Sequence, residues 1–543
     1  MRIGILVVLT WLGMGKILAQ KSPERPELIV AIVIDQMRYD YLYRYFDLYG
    51  DDGFKRLMRD GYHFHNTNYS YIPTYTGPGH ASIFTGTTPS VHGIIANNWF
   101  DKESSSSMYV VQDLSVNGVG TDSKDGQMSP RNMLTTTFAD EWRLFSNFRS
   151  KSIGIALKDR GAILPAGYTA NAAYWYEGGS GKWVSSTFYM DKLPRWVNDY
   201  NKRKRPVTLV QQNWEPALPL EQYREVSSED DNPYEGPFMG QARPTFPHNL
   251  PVIYKRLGTN LIKNTPGGNT ITFEMGMAAI EAEKLGQRGI TDILTLSFST
   301  PDYVGHQFGP RAMEIADIYV RFDRELGAFM RYLDQVIGEG KYTLFLTADH
   351  GAADNPSFMA DAKIPAGIFT KDFGKEVDSL LAIEFGHPNL ISAYMNLQFY
   401  LNSERIEQAE LSRAAIQQFI VNHSRSKKEI LFAHTLEDYL NNEFTQGLRG
   451  MNQLGIMDQR SGDVILTIHP AYLEMPWQKT GTTHGTGYSY DTRVPLLFYG
   501  KGIPQGESFE QVEITDIAPT ISNMLRMHQP NGSSGKSLLP LMR

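Results

Sequence analysis

The segment LIVAIVID, Leu28 to Asp35, is an unbroken apolar run that ends abruptly in a carboxylate. A strand wetted on one face alternates apolar and polar residues, so a continuous run of this kind fits a strand covered on both faces, the usual condition in parallel sheets. The same pattern returns as SIGIAL before Lys158, ITDILTLSFST before Asp302, YTLFLTAD ending at Asp349, and VPLLFYG from Val494. Repeated buried strands of this type predict an α/β chain with a mostly parallel central sheet. In such sheets ligands bind beyond the carboxyl ends of the strands, so polar residues hundreds of positions apart can converge there.

Between these runs the sequence reads as helix. From Ala312 to Ile337, residues Ile315, Ile318, Tyr319, Phe322, Leu326, Phe329, Met330 and Leu333 recur at three-and-four spacing, which predicts a helix with one face in the core. Ser403 to Val421 is a second expected helix, with Ser403 or Asn402 placed to cap it. The stretch from about Pro165 to Gly268 is aromatic, rich in Asn, Gly and Pro, and weakly periodic. That predicts an insertion over the sheet, as a lid or pocket wall, and not another link in its alternation. A second insertion is expected at about residues 371–460.

Composition narrows the function classes. Of 543 residues, 41% are hydrophobic and 20% charged, a balance that excludes a disordered, collagenous or coiled-coil chain. Lys and Arg total 52 against 59 Asp and Glu, with no long like-charge block, so no nucleic acid is expected as a dedicated partner. Cysteine is absent, which removes thiolate metal sites and thiol nucleophiles and leaves His and carboxylates as candidate ligands. At the N-terminus, MRIGILVVLTWLGMGKILAQ sets Arg2 before the apolar run Ile3 to Met14 and closes on the small residue Ala19. This is the layout of a secretory signal peptide over residues 1–19. The run falls short of the roughly 20 residues a membrane span needs, and no later segment reaches that length without charges or prolines. Residues 20–543 are therefore expected to form the exported chain, with no membrane span and an undetermined oligomeric state.

Carboxylates and imidazoles gather at the strand ends: Asp35, the pair Asp302 and His306 in DYVGH, and the adjacent Asp349 and His350 in TADHG. These are the ligand types that borderline divalent cations take, and five donors from three strand ends hold two ions naturally if another histidine joins. His484, in KTGTTHGTG before another buried strand, is the best candidate; the alternative is a flexible glycine loop with an incidental histidine. In YIPTYTGPGHASIFTG the residues Gly77, Pro78 and Gly79 read as a sharp turn before a helix from His80 to Thr85, which puts Thr76 at a helix N-terminus. The amides and dipole of that end favour a threonine alkoxide and an attacked phosphoryl group. Thr76 could instead merely cap the helix, and Thr74 is a rival nucleophile.

With a strand-ending Asp35, Thr76-Gly77-Pro78-Gly79-His80, Asp302-x3-His306, Thr347-Ala348-Asp349-His350-Gly351 and a late Thr483-His484-Gly485 in that order, the chain resembles the alkaline phosphatase superfamily over nearly its whole length. The C-terminal ITDIAPTISNMLRM, followed by GKSLLPLM, is similar to that superfamily's closing segment. The resemblance implies a three-layer αβα sandwich with inserted lid segments, and two zinc ions per chain. Asp302, His306 and His484 would hold one zinc, and Asp35, Asp349 and His350 the other, with Thr76 touching the second during attack. A covalent phosphothreonine would form and then be hydrolysed. Lys158 and Arg160 in LKDRGA, and Asn97 in GIIANNW, resemble the phosphate-binding residues of the monoesterase branch, the phosphate-irrepressible, broad-specificity alkaline phosphatases. Asn98 is the alternative to Asn97. The best-known alkaline phosphatases follow a serine nucleophile with an arginine and carry a third, magnesium site; here Gly77 follows Thr76, so no third metal is expected.

Charge distinguishes the substrates. Two zincs, Lys158 and Arg160 against three aspartates and one alkoxide leave two positive charges, which balance a monoester dianion; without the two cations the balance is zero and suits a diester. Small-molecule phosphate monoesters are therefore the expected substrates. A phosphodiesterase or nucleotide pyrophosphatase on the same core is the alternative, and a catalytically inactive zinc-dependent binding protein is the alternative of another class.

Overall fold

The computed structural model describes residues 25–475 and 479–542. The expected signal peptide, residues 1–19, lies outside the described residues. The run from Leu28 does form a strand, and all seven of its side chains are buried. Among the described residues ten strands share one sheet: β1 (Leu28–Ile34), β2 (Tyr62–Asn68), β3 (Gly118–Val119), β4 (Ser152–Ala156), β5 (Ala172–Glu177), β6 (Lys182–Ser186), β7 (Asp292–Phe298), β8 (Tyr342–Thr347), β9 (Arg493–Gly500) and β10 (Gly506–Glu513). Their spatial order is β10-β2-β9-β8-β1-β7-β4-β5-β6-β3. Strands β8, β1, β7, β4 and β5 are parallel neighbours, and only β6 and β9 run against the rest. This is the mostly parallel, helix-flanked sheet that the apolar runs predict.

The register positions the chemistry. Val33 is level with Thr347 on one side and Ser297 on the other, and Ser297 is level with Ala156. Two residues beyond that row come Asp35, Asp349, Ser299 and Lys158. Four segments spread over more than half the chain thus release polar side chains at one height, at the carboxyl edge of the sheet.

Three expectations are corrected. Residues 172–186, placed in an insertion over the sheet, form β5 and β6 of the sheet itself; Ala172–Glu177 is buried throughout, so it carries no alternation to read. The helix expected over Ser403 to Val421 is two, Ser403–Gln408 and Arg413–Arg425, because Glu410 turns left-handed at φ 54° and Ser412 caps a new start. Asn402, not Ser403, caps the first. The turn read at Gly77-Pro78-Gly79 is the first turn of helix α1 (Thr76–Thr85), a place where proline's missing N–H costs no helical hydrogen bond.

Helix α2 (Asp159–Ala166) follows β4, and α3 (Thr300–Phe308) and α4 (Met313–Leu333) follow β7. The second expected insertion has its own core. A four-stranded sheet of Ile391–Met395, Gln398–Leu401, Val464–Ile468 and Ile430–Thr435 packs Phe399, Val464 and Leu466 against Val377, Ile416 and Ile420 of its helices. No helix among the described residues is long and apolar enough to cross a membrane.

The stretch after β6 is tied to α4 through polar groups. Asp317 accepts hydrogen bonds from Trp214 Nε1 at 2.6 Å, the Ala217 amide at 2.6 Å and the Tyr223 hydroxyl at 2.7 Å. Glu235 is buried nearby, and that burial, with Asp230, pushes its carboxyl up to about 9. An unfolded glutamate ionises near about 4.3, so between the two values the folded chain holds the extra proton and stability falls as pH rises. Glu235→Gln should therefore gain in melting temperature over the wild type as pH rises from about 5 to about 9, reaching several degrees at the top. The same difference at both ends would contradict it.

Candidate active site

The carboxyl edge of the sheet gathers the strand-end residues into one buried cluster. Lys158, at the junction of β4 and α2, places Nζ 2.6 Å from Asp35 Oδ2 and 2.5 Å from Asp302 Oδ2. His306, one turn along α3 from Asp302, brings Nε2 to 3.1 Å from Asp302 Oδ1, and His484 Nε2 lies 3.5 Å from the same oxygen. On the other side His350 Nε2 stands 3.4 Å from Asp35 Oδ1 and 3.7 Å from Asp349 Oδ2. His484 and Asp35, contributed by the two most distant segments, are thus both in the cluster.

The imidazoles are oriented as metal ligands are. His306 Nδ1 meets the Thr482 carbonyl at 2.8 Å, His484 Nδ1 the Thr74 carbonyl at 2.8 Å and His350 Nδ1 the Gly351 carbonyl at 2.9 Å. Each carbonyl can only accept, which puts a proton on Nδ1 and leaves Nε2 as the nitrogen that faces the carboxylates and is available to a cation. Asp35 Oδ1, Asp349 Oδ2 and His350 Nε2 are buried with no hydrogen-bond partner. The 3.4 Å between His350 Nε2 and Asp35 Oδ1 is about the 3.3 Å separating adjacent ligands of a tetrahedral zinc with bonds near 2.0 Å. Two triplets offer ligand atoms within 4.8 Å of one another: Asp302, His306 and His484, and Asp35, Asp302 and His350. The donor set therefore fits two cations, with Asp302 able to serve either and Asp349 reaching the second group beside His350.

Electrostatics follow from this crowding. Burial and Asp302 would raise Asp35, but Lys158 and His350 hold its carboxyl down at about 2. Burial likewise opposes charge on Asp302, and His306 and Lys158 outweigh it, keeping that carboxyl well below the usual range. His350 and His484 stack with centroids 3.5 Å apart, too close for both to be charged. Despite burial, Asp349 and Asp35 lift His350 to about 9, so its Nε2 carries a proton that a cation binding there would displace, while burial and His350 drive His484 down to about 3.

Thr76 is the first residue of α1 and almost fully buried, and the capping position belongs to Tyr75. One turn on, His80 Nδ1 lies 2.8 Å from the Thr76 carbonyl and 3.3 Å from Asp349 Oδ2, while the Tyr75 ring meets the His484 ring edge-on. Helix α1 thus sits directly over the cluster. Gly79 permits this approach, since a Cβ there would run into the Asp349 carbonyl. The rival Thr74 spends its hydroxyl on the Thr486 carbonyl at 2.9 Å. Asn97 Oδ1 accepts the Gly77 amide at 2.7 Å, leaving its Nδ2 to donate, whereas Asn98 is exposed. Arg160 lies in the first turn of α2, with one guanidinium nitrogen 3.1 Å from the Tyr109 hydroxyl and Nε buried without a partner. Lys158 and Arg160, at the start of α2, both line one cavity of about 550 Å³ with Tyr109, Tyr303 and Lys263. A second cavity, of about 400 Å³, is lined by Tyr75, Asn97, His306 and His484, with Lys371 and Asn396 from the second insertion.

Two site residues escape sequence reasoning. Gln36 takes φ 64°, donates Nε2 to Asp302 Oδ1 at 2.7 Å and its amide to Asp349 Oδ1 at 3.2 Å, so it braces two strand ends at once. Only its place beside Asp35 could have drawn attention to it. Asp491 is buried and accepts the Gly485 amide at 3.1 Å and the Thr486 amide at 2.8 Å, which fixes the loop carrying His484. Nothing in its sequence neighbourhood marks it.

Residues 29–488 match the family described as type I phosphodiesterase / nucleotide pyrophosphatase. The chain belongs to this phosphodiesterase/nucleotide pyrophosphatase family. The family's superfamily is the one its strand-end motifs resemble. Among its relatives, alkaline phosphatase PafA of Elizabethkingia meningoseptica is 42% identical over 99% of this chain and 97% of its own. Alkaline phosphatase PhoV of Synechococcus elongatus is 43% identical over 96% and 93%. A Myroides odoratus protein named a calcium-transporting ATPase is 43% identical over 96% and 95%. The crystal structure of wild-type PafA superposes with a TM-score of 0.93 at 41% identity, covering 96% of this chain and 100% of that one. A solved PafA variant carries four substitutions together, at a threonine and an asparagine twenty-one positions apart and at a lysine and an arginine two apart. Thr76 and Asn97 share the first spacing, Lys158 and Arg160 the second.

Proposed function

We propose that this family member is an exported, periplasmic alkaline phosphatase that hydrolyses phosphate monoesters of broad leaving-group type through a covalent phosphothreonine at Thr76. The observation that carries the reading is the pair of cations, Lys158 and Arg160, set against a carboxylate and imidazole cluster built for two metal ions. The names of PafA and PhoV support monoester hydrolysis, and the shared spacing of four residues supports the site.

Asp302, His306 and His484 would hold one zinc and Asp35, Asp349 and His350 the other. Bound there, the two ions supply positive charge to the attacking and departing oxygens of an in-line displacement. No magnesium site is proposed, because Gly77 follows the nucleophile. The Thr76 oxygen attacks phosphorus from the first turn of α1, where the helix dipole stabilises the developing alkoxide. Asn97 Nδ2, Lys158 Nζ and the Arg160 guanidinium grip the remaining phosphoryl oxygens, and the leaving group departs as its alcohol. Water then cleaves the threonine ester, regenerating the hydroxyl and releasing phosphate.

A phosphodiesterase would share every carboxylate and imidazole, so the cations decide between them. Lys158→Ala should lower kcat/KM for p-nitrophenyl phosphate by about 100-fold and for bis-p-nitrophenyl phosphate by less than about fivefold. A wild-type preference for the diester would overturn the reading, and absence of turnover with metal bound would favour a binding protein.

A further inference from the structure

Beside Lys158 and Arg160 the cavity of about 550 Å³ is also lined by Lys124 and Lys263, two cations with no part in the reaction described above. Lys263 is half-buried, and burial lowers its pKa. Among the described residues it forms no ion pair; its ammonium lies 5.9 Å from the centre of the Tyr176 ring. Asp159, Asp125 and Glu177 act on it from a distance, but none pairs with it; Asp125 is exposed at the rim of the cavity, and the other two are engaged elsewhere. Asp159 accepts the Tyr109 hydroxyl and the Arg160 amide, and Glu177 accepts the Gly179 amide at 2.7 Å and the Ser180 amide at 2.9 Å. An ammonium withdrawn from water without a carboxylate of its own carries a desolvation cost that a ligand anion would offset. The opening is large enough for a small ester, and among its walls the four cations Lys124, Lys158, Arg160 and Lys263 outnumber the carboxylates Asp125 and Asp159.

We propose that Lys263, assisted by Lys124, forms a subsite for a second anionic group on the substrate, so that bisphosphorylated esters are preferred over esters with a neutral leaving group. The proposal rests on the monoesterase reading. One phosphoryl group occupies the site of Thr76, Lys158 and Arg160 while the other is held by Lys263 in the cavity that Lys158 and Arg160 also line. Specificity then comes from a charge pair remote from the reacting bond, compatible with a broad range of leaving groups otherwise.

The test compares kcat/KM for fructose 1,6-bisphosphate and fructose 6-phosphate at low salt, with p-nitrophenyl phosphate as the reference ester. The wild type should favour the bisphosphate by about tenfold, a preference that shrinks as salt rises. Lys263→Met should bring the ratio close to one, and Lys263→Arg should keep it. An unaltered ratio in Lys263→Met, or a wild-type preference indifferent to salt, overturns the subsite even if the methionine variant folds poorly. Turnover of p-nitrophenyl phosphate without any bisphosphate preference rejects the subsite alone. No turnover of any of the three esters rejects the monoesterase reading and the subsite with it.

Discussion

Thr76→Ala is expected to reduce kcat/KM for p-nitrophenyl phosphate by about ten-thousandfold, because in the proposed mechanism it removes the oxygen that attacks phosphorus. Both triplets of ligand atoms remain in that variant, so its metal content should stay at the wild-type level. Thr76→Ser, which keeps the hydroxyl on α1, should retain activity within about tenfold. Acid quenching during turnover of a radiolabelled monoester should trap label on the wild-type chain and none on the alanine variant. Thr74→Ala separates the rival. Its hydroxyl holds the Thr486 carbonyl, so its loss should loosen the loop of His484 and cost on the order of tenfold, in line with one neutral hydrogen bond. Label trapped on Thr76→Ala would move the nucleophile elsewhere.

Removing Asp302 should be nearly as damaging for a different reason. Its two oxygens face His306, His484, Lys158 and Gln36, and it belongs to both triplets of candidate ligands. Asp302→Ala should leave two imidazoles without the carboxylate that completes their site. Metal analysis should fall from two ions per chain to one or fewer, with activity down by more than about a thousandfold and not restored by added zinc. Wild-type protein stripped by a chelator should lose activity and regain it with zinc. Two tightly bound ions in Asp302→Ala would show that the cluster does not hold the metals in the way its geometry suggests.

Much of this was legible in the sequence because burial on both faces leaves a mark that needs no alignment. LIVAIVI, SIGIA and YTLFLT are apolar throughout since no side chain in them meets water, and the residue types just beyond them announce their chemistry. The helix around Phe322 was legible for the same reason, its face repeating with the helical period. Where a segment's setting depends on distant partners, the local signal misled. Ala172–Glu177 lacks alternation because α2 and other elements cover it, and so it read as an insertion. Gly77-Pro78-Gly79 has the composition of a turn, yet forms helix because proline in the first turn forfeits no helical hydrogen bond and a bare Gly79 lets α1 settle on Asp349.

By itself the sequence determined the sheet-forming runs, the donor types waiting at their ends and the absence of any thiol chemistry, since these depend on the water each residue avoids or seeks. Only the tertiary structure decided that Val33, Thr347, Ser297 and Ala156 stand in one row, because strand register is set by pairing between segments remote in the chain. That row brings Lys158 between Asp35 and Asp302, beside the braces Gln36 and Asp491, and at the edge of a cavity it shares with Arg160 and Lys263.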